Sequence, residues 1–247
     1  MRYADAFRFP FANPRWVPNV LLLAVSNLVP LIGGVFALGY TARVLESVRA
    51  GVPGGSYHDF DLQQATDYLV RGLRVLLVSL LLALAAVPLY LLIMFVFVFA
   101  PQIGGVLISG ASDSAVAGLA GSALSCAGMV AGVALLLALM FGAMLVSVPL
   151  HLRAALHPDL GAALSWRFVS DFLRRCWKPA LLAYLVFVLA GIPILFGGML
   201  LLVVGMFPAT AYLQLVHAHL LAQLADLHEA RGGEPVVGPR TTPPAAR

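Results

Sequence analysis

Three side chains with chemistry to offer, Thr210, Gln214 and His217, stand at offsets 0, 4 and 7. They share one helix face inside an apolar stretch. A hydroxyl, an amide and an imidazole so placed could hold a polar ligand, because polar groups within a span turn toward protein or water. His219, Gln223 and Asp226 repeat the spacing on a second face. Solvation of a helix end leaving the bilayer would account for those.

Other chemistries are weaker. His217 and His219 are two apart and point to different faces, and His151 and His157 are six apart, so no pair chelates one ion. Ser147 and His151 are i,i+4 partners, but no acid is placed to orient the imidazole as a hydrolytic triad requires. No Walker A loop, dinucleotide fingerprint or HExxH motif occurs. The sequence therefore predicts no enzyme, no metal and no cofactor. The basic links are too short and too apolar for nucleic acid.

The second group of candidates is cationic. Arg43, Arg71, Arg74, Arg174, Arg175 and Lys178, with Trp177 beside the last, lie in stretches flanking long apolar runs. Cations and aromatics at such places anchor a bundle at the headgroup level. They can equally hold an anionic lipid or a partner's acidic surface.

These residues must be positioned by elements that live in lipid. Of the 247 residues 61% are hydrophobic and only 11% charged, against about 25% charged in soluble domains. The mean hydropathy is +0.95. The apolar runs are continuous rather than alternating, which predicts helices and not a barrel. Cys126 and Cys176 fall in different settings, so no disulfide is expected. No signal peptide is expected, because Asp5 and Arg8 interrupt the N-terminus.

Along the chain the first apolar segment, 16–40, is broken at Pro30–Gly34. It is either one kinked span or a shallow hairpin. Asp61 is a candidate N-cap, with Gln64 in the capping-box place. Leu62, Leu69, Leu73 and Leu76 recur at helical spacing opposite Asp67, Arg71 and Arg74. That pattern predicts an interfacial amphipathic helix over 61–78 that bends into a span from Val75 to Ala100. Residues 101–115 read as a turn-rich link. A further span runs from about Ala117 to Val148, with Gly121, Ser125, Gly128 and Gly132 on one face for close helix packing. A second interfacial helix is expected over 164–178, then two spans between Pro179 and about Leu224. Residues 231–247 are expected to form a disordered tail after a single membrane domain of 1–230.

"DYLVRGLRVLLVSLLLALAAVPLY" from Asp67 and "DFLRRCWKPALLAYLVFVLAGIPI" from Asp171 are alike. Each opens on an acid four residues before an arginine, the favourable order on a helix. Aligning the two matches Tyr68 with Phe172, Arg71 with Arg175 and Arg74 with Lys178, a parallel internal pseudo-repeat. The basic links and the tail are cytoplasmic by the positive-inside rule, while 101–115 has no Lys or Arg and lies outside. The three arginines before the first span put the N-terminus inside too, which favours the hairpin.

"DAFRFPFANPRW", "GYTARVLESVRAG", Phe60-Asp61 and "YLVRGLRVLLV" resemble a prokaryotic membrane family described as a domain of unknown function. More distantly, they are similar to the membrane domain of some glycerophosphodiester phosphodiesterases. Gly39-Tyr40, Arg43, Gly51 and Gly72 also carry the resemblance, and "YHDFD" departs from the family's usual Leu-Pro-x-Trp-Asp. The resemblance implies a multi-helix membrane domain and no known activity.

The expected protein is an all-α polytopic integral membrane bundle of five or six embedded helices in the prokaryotic inner membrane, with both termini cytoplasmic. Its expected role is a non-catalytic module binding lipid or a partner membrane protein through basic interfacial helices. The alternative is a small transporter or channel-like subunit using Thr210, Gln214 and His217. Expected partners are membrane lipids, with assembly as a homo-oligomer or within a membrane complex.

Overall fold

The computed structural model describes residues 1–30, 32–51, 56–110, 114–201 and 204–236. The described residues are helical, with no strand among them. The order is α1 (Tyr3–Arg8), a 3-10 turn, α2 (Trp16–Leu28), α3 (Ile32–Ala50), α4 (Ala65–Ile93), a π-helical segment (Met94–Phe99), α5 (Ala100–Gly110), α6 (Ala115–Leu156), α7 (Leu160–Ala163), α8 (Trp166–Leu200) and α9 (Met206–Ala230).

Local chemistry explains the boundaries. Helix α2 stops two residues before Pro30, which disfavours helical backbone at its predecessor. Helix α3 ends at Gly51, whose φ of +69° is the left-handed C-cap conformation. The Asp61 carboxylate caps the start of the next helix by accepting from the Gln63 amide at 2.9 Å. The capping box is not closed as predicted: the Asp61 amide donates to the Tyr68 hydroxyl at 3.2 Å instead. The π-helical segment ends two residues before Pro101, which lacks the N–H that would bond Phe97 and whose ring would crowd that carbonyl.

Among the described residues, three helical runs are long and apolar enough to cross a membrane: Leu62–Gly110, Ala115–Leu156 and Leu160–Leu200. Only 6%, 6% and 17% of their most apolar windows is buried within the protein, so their outer faces suit lipid. Helix α2 has 13 residues, about 20 Å at 1.5 Å each, short of a core of about 30 Å.

Two expected features differ. The interfacial helices over 61–78 and 164–178 are not separate elements: α4 and α8 run on without a break. In α4 the faces are also reversed. Leu62, Leu69, Leu73 and Leu76 face outward, while Tyr68 is fully buried and the Arg71 side chain is 18% exposed. In a membrane bundle the leucine face meets lipid and the polar face meets protein. The link expected at 101–115 is helical as far as Gly110. It carries no basic or acidic residue before Asp113, and nothing except glycine spacing argued for a turn there. Residues 111–113 lie outside the described residues.

The chain forms two compact units, residues 1–79 with 145–247, and residues 80–144. In the first, α9 is the central helix and packs on α8, α2, α3 and α1. Its Leu215, Val216 and Ala225 have no exposure. Helices α3 and α4 cross at Gly39 and Gly72, where a Cβ on either would lie 1.8 Å from a backbone oxygen of the other helix. Tyr40, Phe60 and Tyr68 fill the space beside the crossing, with ring centroids 4.9 to 5.7 Å apart. In the second unit the predicted small-residue face is used internally. Gly121 meets Gly105, the Ser125 hydroxyl donates to the Pro101 carbonyl at 3.3 Å, and Gly128 packs on Pro101.

Candidate functional site

Most of the predicted cations are engaged within the first unit. Arg43 pairs with Glu46 at 2.7 Å, one turn on along α3. Arg71 reaches the same Glu46 at 2.8 Å and its own-helix partner Asp67 at 2.8 Å, joining α3 to α4. Arg74 donates to the His157 carbonyl at 2.8 Å. Arg175 pairs with Asp171 at 2.8 Å and donates to the Arg231 carbonyl. These four neutralise or cap neighbours, as partly buried guanidinium groups must.

Arg174, Trp177 and Lys178 remain on the surface, with the Lys178 ammonium 5.4 Å from the Trp177 ring centroid. Arg167 and Trp166, the latter 69% exposed, join them. Arg167, Arg174 and Lys178 are at offsets 0, 7 and 11, one face of α8. Arg167 is the member that the sequence reading left out of the candidate set, although this spacing was there to be seen. Among the described residues, neither Arg167 nor Arg174 has an acidic partner.

The same unit holds two buried cations that no local pattern marks. The Arg49 side chain, 8% exposed, pairs with Glu229 at 2.6 Å and approaches Asp226 at 3.7 Å. The Arg153 side chain, also 8% exposed, pairs with Glu234 at 2.6 Å, donates to the Ala162 carbonyl at 3.0 Å and lies 4.1 Å from the Phe168 ring centroid. Burial pushes the Glu229 carboxyl up, but the Val236 amide and Arg49 hold it below its ordinary value.

The first residues of the expected tail pack on the bundle. Residues 231–236 form a strap: Gly232 takes φ +74°, the Gly233 amide donates to the His228 carbonyl at 3.0 Å, and Val236 is fully buried. Residues 237–247 lie outside the described residues.

The predicted intramembrane trio separates. The Thr210 hydroxyl bonds its own helix, at the Met206 carbonyl, 2.8 Å away. Gln214 and Asn27 exchange two side-chain amide bonds at 3.3 Å, tying α9 to α2. His217 lines a cavity of about 60 Å³ with His151 and Thr41, and no acidic side chain lines it. His151 bonds the Ser79 hydroxyl at 2.8 Å. The second face is not simply solvated. His219 stacks on Phe9 at 4.5 Å and Gln223 exchanges bonds with the Arg2 backbone, so both dock the N-terminal segment. No group of three or more His, Cys, Asp or Glu gathers for a metal among the described residues.

One polar cluster was missed entirely. Asn13 donates to the Tyr57 carbonyl at 2.7 Å and to Asp59 at 2.9 Å. Asn19 donates to Asp59 at 3.1 Å and accepts from the Phe60 amide at 2.9 Å. The Tyr57 hydroxyl donates to the Pro10 carbonyl at 2.9 Å. Burial pushes the Asp59 carboxyl up, but the Asn19 and Asn13 bonds and the charges of Arg15 and His58 hold it below its ordinary value. The cluster clamps "ANPRW" to "YHDFD" across some forty residues of sequence, a separation that composition does not reveal.

The sequence model of a family described as "Protein of unknown function (DUF4013)" matches residues 22–204. The chain belongs to this family. The DUF4013 match takes in α3 to α8 and most of α2. Helix α9 and the strap follow it. Neither a curated protein nor a solved structure matches the chain. The comparisons show no link to the glycerophosphodiester phosphodiesterases.

Proposed function

We propose that this DUF4013 protein is a non-catalytic, multi-pass module of the prokaryotic inner membrane that binds anionic lipid through the first turns of α8. The observation that supports this reading is selective. Arg43, Arg71, Arg74 and Arg175 serve internal partners, whereas Arg167, Arg174 and Lys178 lie exposed on one face, each next to or near Trp166 or Trp177 in the chain. Three basic residues at an anionic surface contribute about 3 kcal/mol together, about a hundredfold in affinity. The combined substitution Arg167→Gln, Arg174→Gln, Lys178→Gln should remove the preference for anionic over neutral lipid, read by native mass spectrometry of the detergent-solubilised protein. An unchanged preference sinks the reading.

The proposed topology has six embedded helices and both termini cytoplasmic, with α2 and α3 as a hairpin that enters and returns. The shortness of α2 supports it, as does the docking of Arg2 against Gln223 near the end of α9. A reporter fused at Met1 that proved extracytoplasmic would rule it out. A second reading, a small transporter or channel-like subunit, draws on His217 and His151 sharing a cavity with Thr41. Flux in proteoliposomes that disappears in His217→Ala would favour it; absence of flux in the wild type rejects it.

A further inference from the structure

The strap and the start of α8 enclose a half-open cavity of about 700 Å³. Its walls include Ser165, Arg167, Arg174 and Arg175 from the α8 side and Glu234 from the strap. We propose that this cavity binds a phosphate monoester group, and that Glu234 is a tethered carboxylate competing with it. The proposal rests on the lipid-binding reading of α8 and deepens it by naming the headgroup chemistry and its control.

The charge balance selects the ligand. Arg167, Arg174 and Arg175 line the cavity with two acids, Asp171 and Glu234, and Arg153 reaches Glu234 from outside the lining. Both acids already have a cation: Asp171 pairs with Arg175 at 2.8 Å and Glu234 with Arg153 at 2.6 Å. Of the guanidinium groups that line the cavity, Arg167 and Arg174 have no acidic counterpart among the described residues. A phosphate monoester carries about −1.5 to −2 at pH 7 and balances two such groups. A diester, with a single charge, leaves one uncompensated. Guanidinium forks also match phosphate oxygens in pairs. The Ser165 hydroxyl makes no capping bond to its helix, which leaves it free to donate to the same oxygens.

Glu234 is built as a removable group. Arg153 is 8% exposed and cannot stay buried without an anion. That anion comes from a six-residue segment that turns at Gly232, at φ +74°; its start is tied to Arg175 and the His228 carbonyl, the Glu234 and Val236 amides donate to the Asp171 and Glu229 carboxylates, and Val236 is buried at its far end. A phosphate entering beside Glu234 repels its carboxylate and offers Arg153 a replacement. Binding and strap release are then linked, and the linkage is reciprocal.

The test uses the full chain in detergent micelles with phosphatidic acid, phosphatidylglycerol or phosphatidylcholine added at equal mole fraction, read by native mass spectrometry. Phosphatidic acid should bind about tenfold more tightly than phosphatidylglycerol. Glu234→Gln should raise phosphatidic acid binding about tenfold further and leave phosphatidylglycerol unchanged. Arg167→Gln with Arg174→Gln, both exposed positions, should reduce phosphatidic acid to the phosphatidylglycerol level. Limited proteolysis within 231–236 gives an independent readout and separates the sources. Acceleration by phosphatidic acid alone assigns a lipid headgroup, and acceleration by inorganic phosphate as well assigns a soluble phosphate. Equal binding of the two anionic lipids, with no effect of Glu234→Gln and no change in proteolysis, overturns this site while leaving the general lipid-binding reading intact. Loss of all preference for anionic over neutral lipid in the wild type overturns both.

Discussion

The crossing of α3 and α4 gives a prediction whose size follows from geometry. In Gly72→Ala the new Cβ would stand 1.8 Å from the Val35 carbonyl oxygen and 2.9 Å from the Gly39 nitrogen. Non-bonded heavy atoms settle at about 3.5 Å or more, so the two backbones must part by more than about 1 Å. Neither colliding atom belongs to a side chain that could rotate away. Overpacking costs about 1–3 kcal/mol where side chains can adjust, and a backbone collision belongs at the upper end, about 3 kcal/mol. For a chain of this length that is a fall of about 6–12 °C in melting temperature. Parting the helices also strains the Arg71–Glu46 pair that bridges them and the Tyr40–Tyr68 contact. Gly142→Ala is the internal control, because its Cβ would meet nothing within 4 Å. Alanine is the better helix former, by about 1 kcal/mol, so that variant should hold or gain stability. Thermal unfolding of both purified variants in one detergent checks the pair. A Gly72→Ala protein melting within about 2 °C of Gly142→Ala would refute the close crossing.

Other outcomes follow from the same structure. Gly121→Ala should destabilise the 80–144 unit, since its Cβ would sit 2.3 Å from the Gly105 carbonyl oxygen; Gly118→Ala, in open space, should not, and hydrogen exchange over α5 reports the difference. Asp59→Ala should cost roughly 1 kcal/mol at pH 7 by removing the acceptor for Asn13 and Asn19. Because the folded Asp59 carboxyl lies below its ordinary value, its contribution is present above the usual carboxylate range of about 4 and is lost as pH falls through the folded value. The melting-temperature gap between wild type and Asp59→Ala should therefore close on acidification below about pH 4. Gly232→Ala should cost about 1 kcal/mol because of its positive φ, and should speed cleavage of the strap with little change in bundle melting.

The fold was legible where the signal is local. Apolar runs marked the membrane helices, Pro30 marked the end of α2, and the i,i+4 acid–arginine pairs at Asp67–Arg71 and Asp171–Arg175 form as spaced. Trp177, Arg174 and Lys178 were found because exposure follows from position on α8. What escaped depends on partners far along the chain. Nothing near Arg153 announces Glu234, and nothing near Asn13 announces Asp59. The reversed face of α4 escaped for a different reason. Amphipathic spacing shows that two faces differ, but not which solvent each meets, and in lipid the leucine face turns outward. Arg71 and Arg74 read as surface groups only on that mistaken assignment.

The same distinction explains why two similar stretches can end in different roles. Asp67–Arg71 and Asp171–Arg175 have the same ion pair, and Tyr68 and Phe172, which align, are both fully buried. Their next cations diverge. Arg74 donates to the His157 carbonyl and Arg71 is locked to Glu46, so the first stretch is a joint between helices. In the second stretch Arg175 holds the strap, while Arg174 and Lys178 stay exposed beside Arg167. Charges satisfied inside the protein are already compensated, whereas like charges exposed on one helix face keep a mutual repulsion that an external anion relieves. Of the two stretches, then, the one that opens α8 is the one whose cations stay available on the surface.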